Sequence, residues 1–190
     1  MNETWKDVES FSELLIDKEK TNTENLAEVK ALGSKESSMG VNAVAMITED
    51  MSVVGDININ GSIEINGSVN GNVSSNDLIK VGGEIHGNLN ANTIHLESAV
   101  VAGNINFVES VEVSKDSIIV GDIKGDKNVN IAGSIKGNID IREEIVLLTG
   151  AVIVGDIKCK NIRIESGVSI KGSVDQCYSD VDIEALFGDY

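Results

Sequence analysis

Gly83-Glu84-Ile85-His86-Gly87-Asn88-Leu89 is one copy of a seven-residue unit that recurs through the middle of the chain. The same shape returns as MSVVGDI from Met51, GSVNGNV from Gly67, AVVAGNI from Ala99 and SIIVGDI from Ser117. It continues as GSIKGNI from Gly133, AVIVGDI from Ala151 and VSIKGSV from Val168. The glycine before the Asn, Asp or Ser falls at 55, 71, 87, 103, 121, 137, 155 and 172, so successive units lie 16, 16, 16, 18, 16, 18 and 17 residues apart. A period this short and persistent marks a stacked repeat.

Each repeat has room for three short strands. One follows the glycine, as in Gly71-Asn72-Val73. A second is an apolar-x-apolar triplet: Ile63-Glu64-Ile65, Ile79-Lys80-Val81, Ile94-His95-Leu96, Val111-Glu112-Val113, Val129-Asn130-Ile131, Val146-Leu147-Leu148 and Ile162-Arg163-Ile164. The third leads into the next glycine, centred on Val69, Ile85, Val101, Ile119, Ile135, Ile153 and Ile170. Period-two alternation puts these aliphatic residues on one face and their neighbours on the other. Strands this short, joined by tight turns, fit a coil in which each turn pairs in parallel with the next, about 4.8 Å along the axis. The fold class predicted is all-β: a single-stranded parallel β-helix, a triangular solenoid of 16–18 residues per turn. It is taken as right-handed, the usual hand of parallel crossovers. Eight such turns make a rod on the order of 35–40 Å long.

The inward ladders are Val, Ile and Leu, which suit a narrow pleated core. Phe107 is the one aromatic residue between 51 and 174, and no proline interrupts a ladder. Cys159 occupies an inward position equivalent to Ile59, Ala91, Phe107 and Ile141, so it is read as a small core residue. The residue after the corner glycine is Asp56, Asn72, Asn88, Asn104, Asp122, Asn138, Asp156 and Ser173 in turn. No two aspartates are neighbours in that column, as expected of side chains that bond along a stack.

Charge is concentrated outside the repeat. Of the formal net −16, residues 1–50 carry 5 basic and 11 acidic residues, and residues 175–190 carry 5 acidic and none basic. A chain this acidic is repelled by nucleic-acid phosphate and by anionic membrane surfaces, so neither is expected as a partner. Met1-Asn2-Glu3-Thr4-Trp5 shows no basic n-region and no apolar h-region follows it, so a cytoplasmic protein is expected. The domain organisation expected is an acidic N-terminal tail over 1–46, a β-helix over 47–174 and an acidic C-terminal tail over 175–190. Trp5, Val8, Phe11, Leu14 and Leu15 have the spacing of a short amphipathic helix over 5–20.

Little in the sequence points to chemistry. His86 and His95 fall at outward positions; His95 belongs to the column Glu64, Lys80, His95, Glu112, Asn130. Minimal corners leave nothing to wall a substrate groove. Asp56, Asp122 and Asp156 are too sparse for a calcium-binding roll. No catalytic residue, metal or cofactor is expected.

At this point the chain resembles the bactofilins, bacterial polymer-forming cytoskeletal proteins. ITEDMSVVGDININGSIEINGSVNGNV, from Ile47 to Val73, is similar to the start of that family's domain, and the glycine-cornered turns continue it to Val174. The closing KGSVDQCYSDVDIEALFGD, Lys171 to Asp189, resembles the ends of bactofilin-like proteins from anaerobic Gram-positive bacteria. The resemblance implies a right-handed β-helix that assembles end to end into filaments without nucleotide. The chain lacks the proline-rich tails and the basic or apolar N-terminus of many members, which argues against direct membrane association.

The open ends of a solenoid present unpaired backbone over an apolar core. The end-interface candidates are therefore Val53, Ile57, Ile63 and Ile65 in the first turn and Ile162, Ile164, Ile170 and Val174 in the last. A second surface comes from outward positions that are apolar where most turns are polar: Val100/Ala102, Ile118/Val120 and Val152/Val154. Such a stripe covers on the order of a few hundred Å² and suits either lateral pairing of filaments or docking of the chain's own tails. Trp5, Phe11, Leu186 and Phe187 are candidates for a partner-binding tail motif. Two functions follow: a filament-forming scaffold for cell-shape or envelope proteins, or a monomeric binding module whose tails dock such partners.

Overall fold

Alternation of β-branched and polar residues puts strand on three faces of every turn, and all of the pairings are parallel. The structure, a computed structural model, describes residues 44–178. Among these there is no helix, and the strands wind into eight rungs with three faces. The first face follows the corner glycines: Ile57–Ile59, Val73–Ser75, the front of Leu89–Leu96 and of Ile105–Val113, Ile123–Gly125, Ile139–Ile141, Ile157–Lys158 and Val174–Asp175. The second holds Ala45–Ile47, Ile63–Ile65, Leu78–Val81, the back of the same two long strands, Asn128–Ile131, Glu144–Leu147 and Asn161–Ile164. The third, from Ser52–Val54 to Ser169–Lys171, is a separate eight-stranded sheet. The first two merge into one 14-stranded sheet because Leu89–Leu96 and Ile105–Val113 run through the corner between them.

The interior is a stack of aliphatic ladders. Val69, Ile85, Val101, Ile119, Ile135 and Ile153 are buried on the third face, and Ile63, Ile79, Ile94, Val111, Val129 and Ile145 on the second. Burying each such side chain contributes roughly 1.5–3 kcal/mol before conformational entropy is set against it.

One expected triplet is displaced by a residue. The strand in that turn is Glu144–Leu147, with Ile145 opposite Val129 and Leu147 opposite Ile131. Val146 therefore points outward, opposite Asn130, and Leu148 lies in the corner. Four consecutive apolar residues, 145–148, erase the alternation that sets the register elsewhere.

The uneven period has a structural account. Corners between the second and third faces hold two residues in some rungs, such as Asn66-Gly67 and Ala132-Gly133. They hold four in others, such as 114–117 and 148–151. The first-to-second corner also varies: Val108 and Glu109 stand where the preceding rung has Asn92 alone. With the second-to-third corner lengthened by one residue as well, from 97–99 to 114–117, the 16-residue interval of the preceding rung becomes the 18-residue interval from Gly103 to Gly121. The glycine corner absorbs none of the variation, because its geometry is fixed by contact. Gly103 has φ of +158°, and a Cβ there would run into the carbonyl oxygen of Gly87 in the rung before.

Candidate functional site

Both ends of the solenoid are open among the described residues. Ala45–Ile47, Ser52–Val54 and Ile57–Ile59 pair only with the second rung. Asn161–Ile164, Ser169–Lys171 and Val174–Asp175 pair only with the seventh. Each end thus offers three strand edges around a triangle of aliphatic side chains. At the far end Ile162 and Ile170 are half-buried, while Ile164 and Val174 are 49% and 42% exposed. At the near end Val53 and Ile57 are half-buried, as expected of terminal residues.

Ile63 and Ile65, by contrast, lie one rung inside. Ala45–Ile47 pairs directly over them, leaving Ile63 2% and Ile65 0% exposed. The terminal residues of that face are Ala45 and Ile47. In the sequence this strand is hard to see, because Ala45-Met46-Ile47 is shorter in apolar pattern than its successors and precedes the first corner glycine.

The outward positions of the third face run Ser52/Val54, Ser68/Asn70, Glu84/His86, Val100/Ala102, Ile118/Val120, Ser134/Lys136, Val152/Val154 and Ser169/Lys171. Val100, Ile118, Val120, Val152 and Val154 are 40–49% exposed, and Ala102 is exposed. The six candidates are brought onto one sheet face, with the polar rung Ser134/Lys136 interrupting them. Trp5, Phe11, Leu186 and Phe187 lie outside the described residues.

The column beside the corner glycines is a chain of hydrogen bonds. Each backbone N–H donates to the side-chain oxygen one rung earlier: Asn72 to Asp56 at 2.8 Å, Asn88 to Asn72 at 3.0 Å, Asn138 to Asp122 at 2.8 Å and Ser173 to Asp156 at 3.0 Å. The column needs an acceptor oxygen rather than an amide, so Asp and Asn interchange. The Asp156 carboxyl is held below its ordinary range, first by the Ser173 N–H and then by its hydroxyl.

Other polar groups are structural in their surroundings. His95 stands between Lys80 and Glu112 in the outward column, and His86 bonds Glu84 at 2.9 Å. Lys80 pairs with Glu97 at 3.1 Å. Cys159 is buried, which pushes its thiol up, and Cys177 is exposed. Among the described residues no group of His, Cys, Asp or Glu is arranged to hold a metal, and no helix is long and apolar enough to cross a membrane. Two contacts went unread in the sequence. The Phe107 ring covers Gly125 of the next rung, and the Tyr178 hydroxyl donates to Asp140 at 2.8 Å, 38 residues back. The first had a signal: the one inward aromatic residue is followed in its ladder by a glycine.

Comparison with known proteins fits this geometry. The bactofilin family model, described as polymer-forming cytoskeletal, matches residues 45–127 and 98–175. This chain is a bactofilin. The two matches overlap, as expected when similar rungs satisfy one pattern at two offsets. Bactofilin BacO of Myxococcus xanthus strain DK1622 is 37% identical over 71 residues, covering 37% of this chain and 56% of the relative. The chain thus spans little more than half of that relative's length. No solved structure matches it.

Proposed function

We propose that this bactofilin assembles end to end through its terminal rungs into filaments that need no nucleotide. The filaments act as a non-enzymatic scaffold at which cell-shape or envelope proteins are positioned, partly through the tails. The observation that carries the reading is the pair of open ends: among the described residues, three unpaired strand edges around an apolar triangle at each. Edges of this kind template the addition of further strands, and most folded proteins cover them. Here adding a copy continues ladders that already stack parallel aliphatic side chains. The family's polymer-forming description supports the same reading.

Ile170→Arg tests it. Ile170 is the central inward residue of the last rung on the third face, so arginine puts a charge on the end without entering the deeper core. The variant is expected to keep its β-sheet circular dichroism and to run as a monomer of about the 20.1 kDa chain mass. Electron microscopy should show filaments for the wild type, with or without nucleotide, and none for the variant. Long filaments from Ile170→Arg would sink the end-to-end arrangement. A wild type that stays monomeric at high concentration would favour a binding module.

A further inference from the structure

The described chain leaves the solenoid over its side. After Val174–Asp175 in the last rung, Cys177 and Tyr178 form a turn, and the Tyr178 hydroxyl donates to Asp140, two rungs earlier, at 2.8 Å. Tyr178 there stands at one end of a groove on the first face, beside its corner with the second. One part of the groove, about 280 Å³, is lined by Phe107, Lys124, Gly125, Asp140, Arg142 and Tyr178. The other, about 290 Å³, is lined by Ser75, Asn76, Asn90, Ala91, Phe107 and Val108. Asn106 and Phe107 border both, so the groove continues from rung six to rung two.

Side-chain size accounts for the groove. The inward ladder beneath it runs Ile59, Ser75, Ala91, Phe107, Gly125 and Ile141. Three small residues, Ser75, Ala91 and Gly125, leave the surface dented around the ring. Ala91 and Phe107 keep 7% and 5% exposure, where most inward aliphatic residues have none.

We propose that the segment following Tyr178, Ser179 to Phe187, lies extended in this groove, with Val181 and Ile183 turned onto its floor around Phe107. The sequence there, Val181-Asp182-Ile183-Glu184-Ala185, alternates apolar and acidic residues, which gives an extended chain one apolar edge. The length fits. Four rung steps are about 19 Å, which about six extended residues cover.

Charge fits as well. Of the two cations lining the groove, Arg142 pairs with Asp126 at 3.1 Å, while Lys124 has no ion-pair partner among the described residues. Lys124 is therefore available to Asp180, close to Tyr178 in the chain. No charged residue lines the part beyond Phe107, so Asp182 and Glu184 meet amides and hydroxyls there and no carboxylate. The apolar rungs of the third face, by contrast, lie across the solenoid from the corner where Tyr178 is held. Routed along the groove, the segment leaves the strand edges of the last rung clear for another copy. That consequence rests on the end-to-end reading, whereas the docking does not.

Cross-linking within one chain tests the docking. The background is Cys177→Ser, Cys159 being buried. Asp182→Cys keeps both apolar residues, and Val108, at the groove's rim, is 49% exposed and tolerates Val108→Cys. With a short bismaleimide the doubly substituted chain is expected to give an internally bridged monomer, read by mass spectrometry. A mixture of the two single-cysteine chains is expected to give no 182–108 dimer. Tethering alone brings position 182 near the groove, so a further chain adds Val181→Asp and Ile183→Asp. Bridging should then slow at least tenfold; an unchanged rate would overturn the docking. A 182–108 dimer from the mixture would overturn it too, since a neighbour's segment would then fill the groove. Faster bridging of Asp182→Cys to Val120→Cys would put the segment on the third face, and faster bridging of Phe11→Cys to Val108→Cys would give the groove to the N-terminal segment. Either result overturns the proposal. Microscopy of the same chains separates the two readings. The 182–108 bridge without filaments leaves the docking standing and counts against end-to-end assembly, and filaments without the bridge do the reverse.

Discussion

Phe107 and Gly125 show how tightly side chains set one another in so thin a core. Their ladder runs Ala91, Phe107, Gly125, Ile141, and the ring fills the space above the glycine, where a Cβ would meet three ring carbons. Gly125→Ala therefore overpacks the site and is expected to destabilise by about 1–3 kcal/mol. Phe107→Leu makes its own small void but opens room for the methyl group. In that background the alanine should cost less than half as much, giving a favourable coupling in a double-mutant cycle. Urea denaturation of the four proteins measures it. Additive losses would show that the ring does not constrain position 125.

At the scale of elements, the column from Asp56 to Ser173 joins successive rungs outside the core. Asp156 accepts both the N–H and the hydroxyl of Ser173, which lowers its pKa relative to the unfolded chain. A depressed carboxyl stabilises the fold at pH above its unfolded value, and the contribution disappears as pH falls through the folded value. The last rung should therefore loosen below about pH 4, under the ordinary aspartate range. Asp156→Asn keeps an acceptor oxygen, as Asn72, Asn88 and Asn104 do in their rungs. Its melting temperature should fall less between pH 7 and pH 3 than the wild type's; an equal fall would place the acid sensitivity elsewhere. Much of this architecture was legible because polar residues punctuate the aliphatic ones, as in Ile63-Glu64-Ile65. Where they do not, at 145–148, the register could not be read. The first strand, Ala45–Ile47, and its burial of Ile63 and Ile65 were missed for a related reason: one short triplet carries too little pattern to be told from a tail. The contacts of Tyr178 with Asp140 and of Phe107 with Gly125 join positions whose proximity depends on winding and side-chain direction, neither of which alternation specifies.

For the solenoid as a whole, the end is where folding and assembly become the same process. Asn161 and Glu165 donate their N–H groups back to Glu143 and Leu147, and Ser169 donates to Ala151. Alternation along a parallel strand then turns the N–H groups of Ile162, Ile164 and Ile170 toward the open end. Among the described residues these amides have no ladder partner within one chain, so in separate chains they should exchange with solvent within seconds, while those of rungs three to six stay protected. Adding a copy at this end converts an edge strand into an interior one. Protection at Ile162 and Ile164 should then rise by a hundredfold or more, the change expected when a fraying strand becomes continuous sheet. Hydrogen exchange followed by mass spectrometry, on dilute and on assembled protein, reads this directly. In Ile170→Arg the same amides should stay fast at every concentration. Protection that appears instead along Val100–Ala102 and Ile118–Val120, with the ends still fast, would mean that copies associate through the third face alone and that the open ends are not joined.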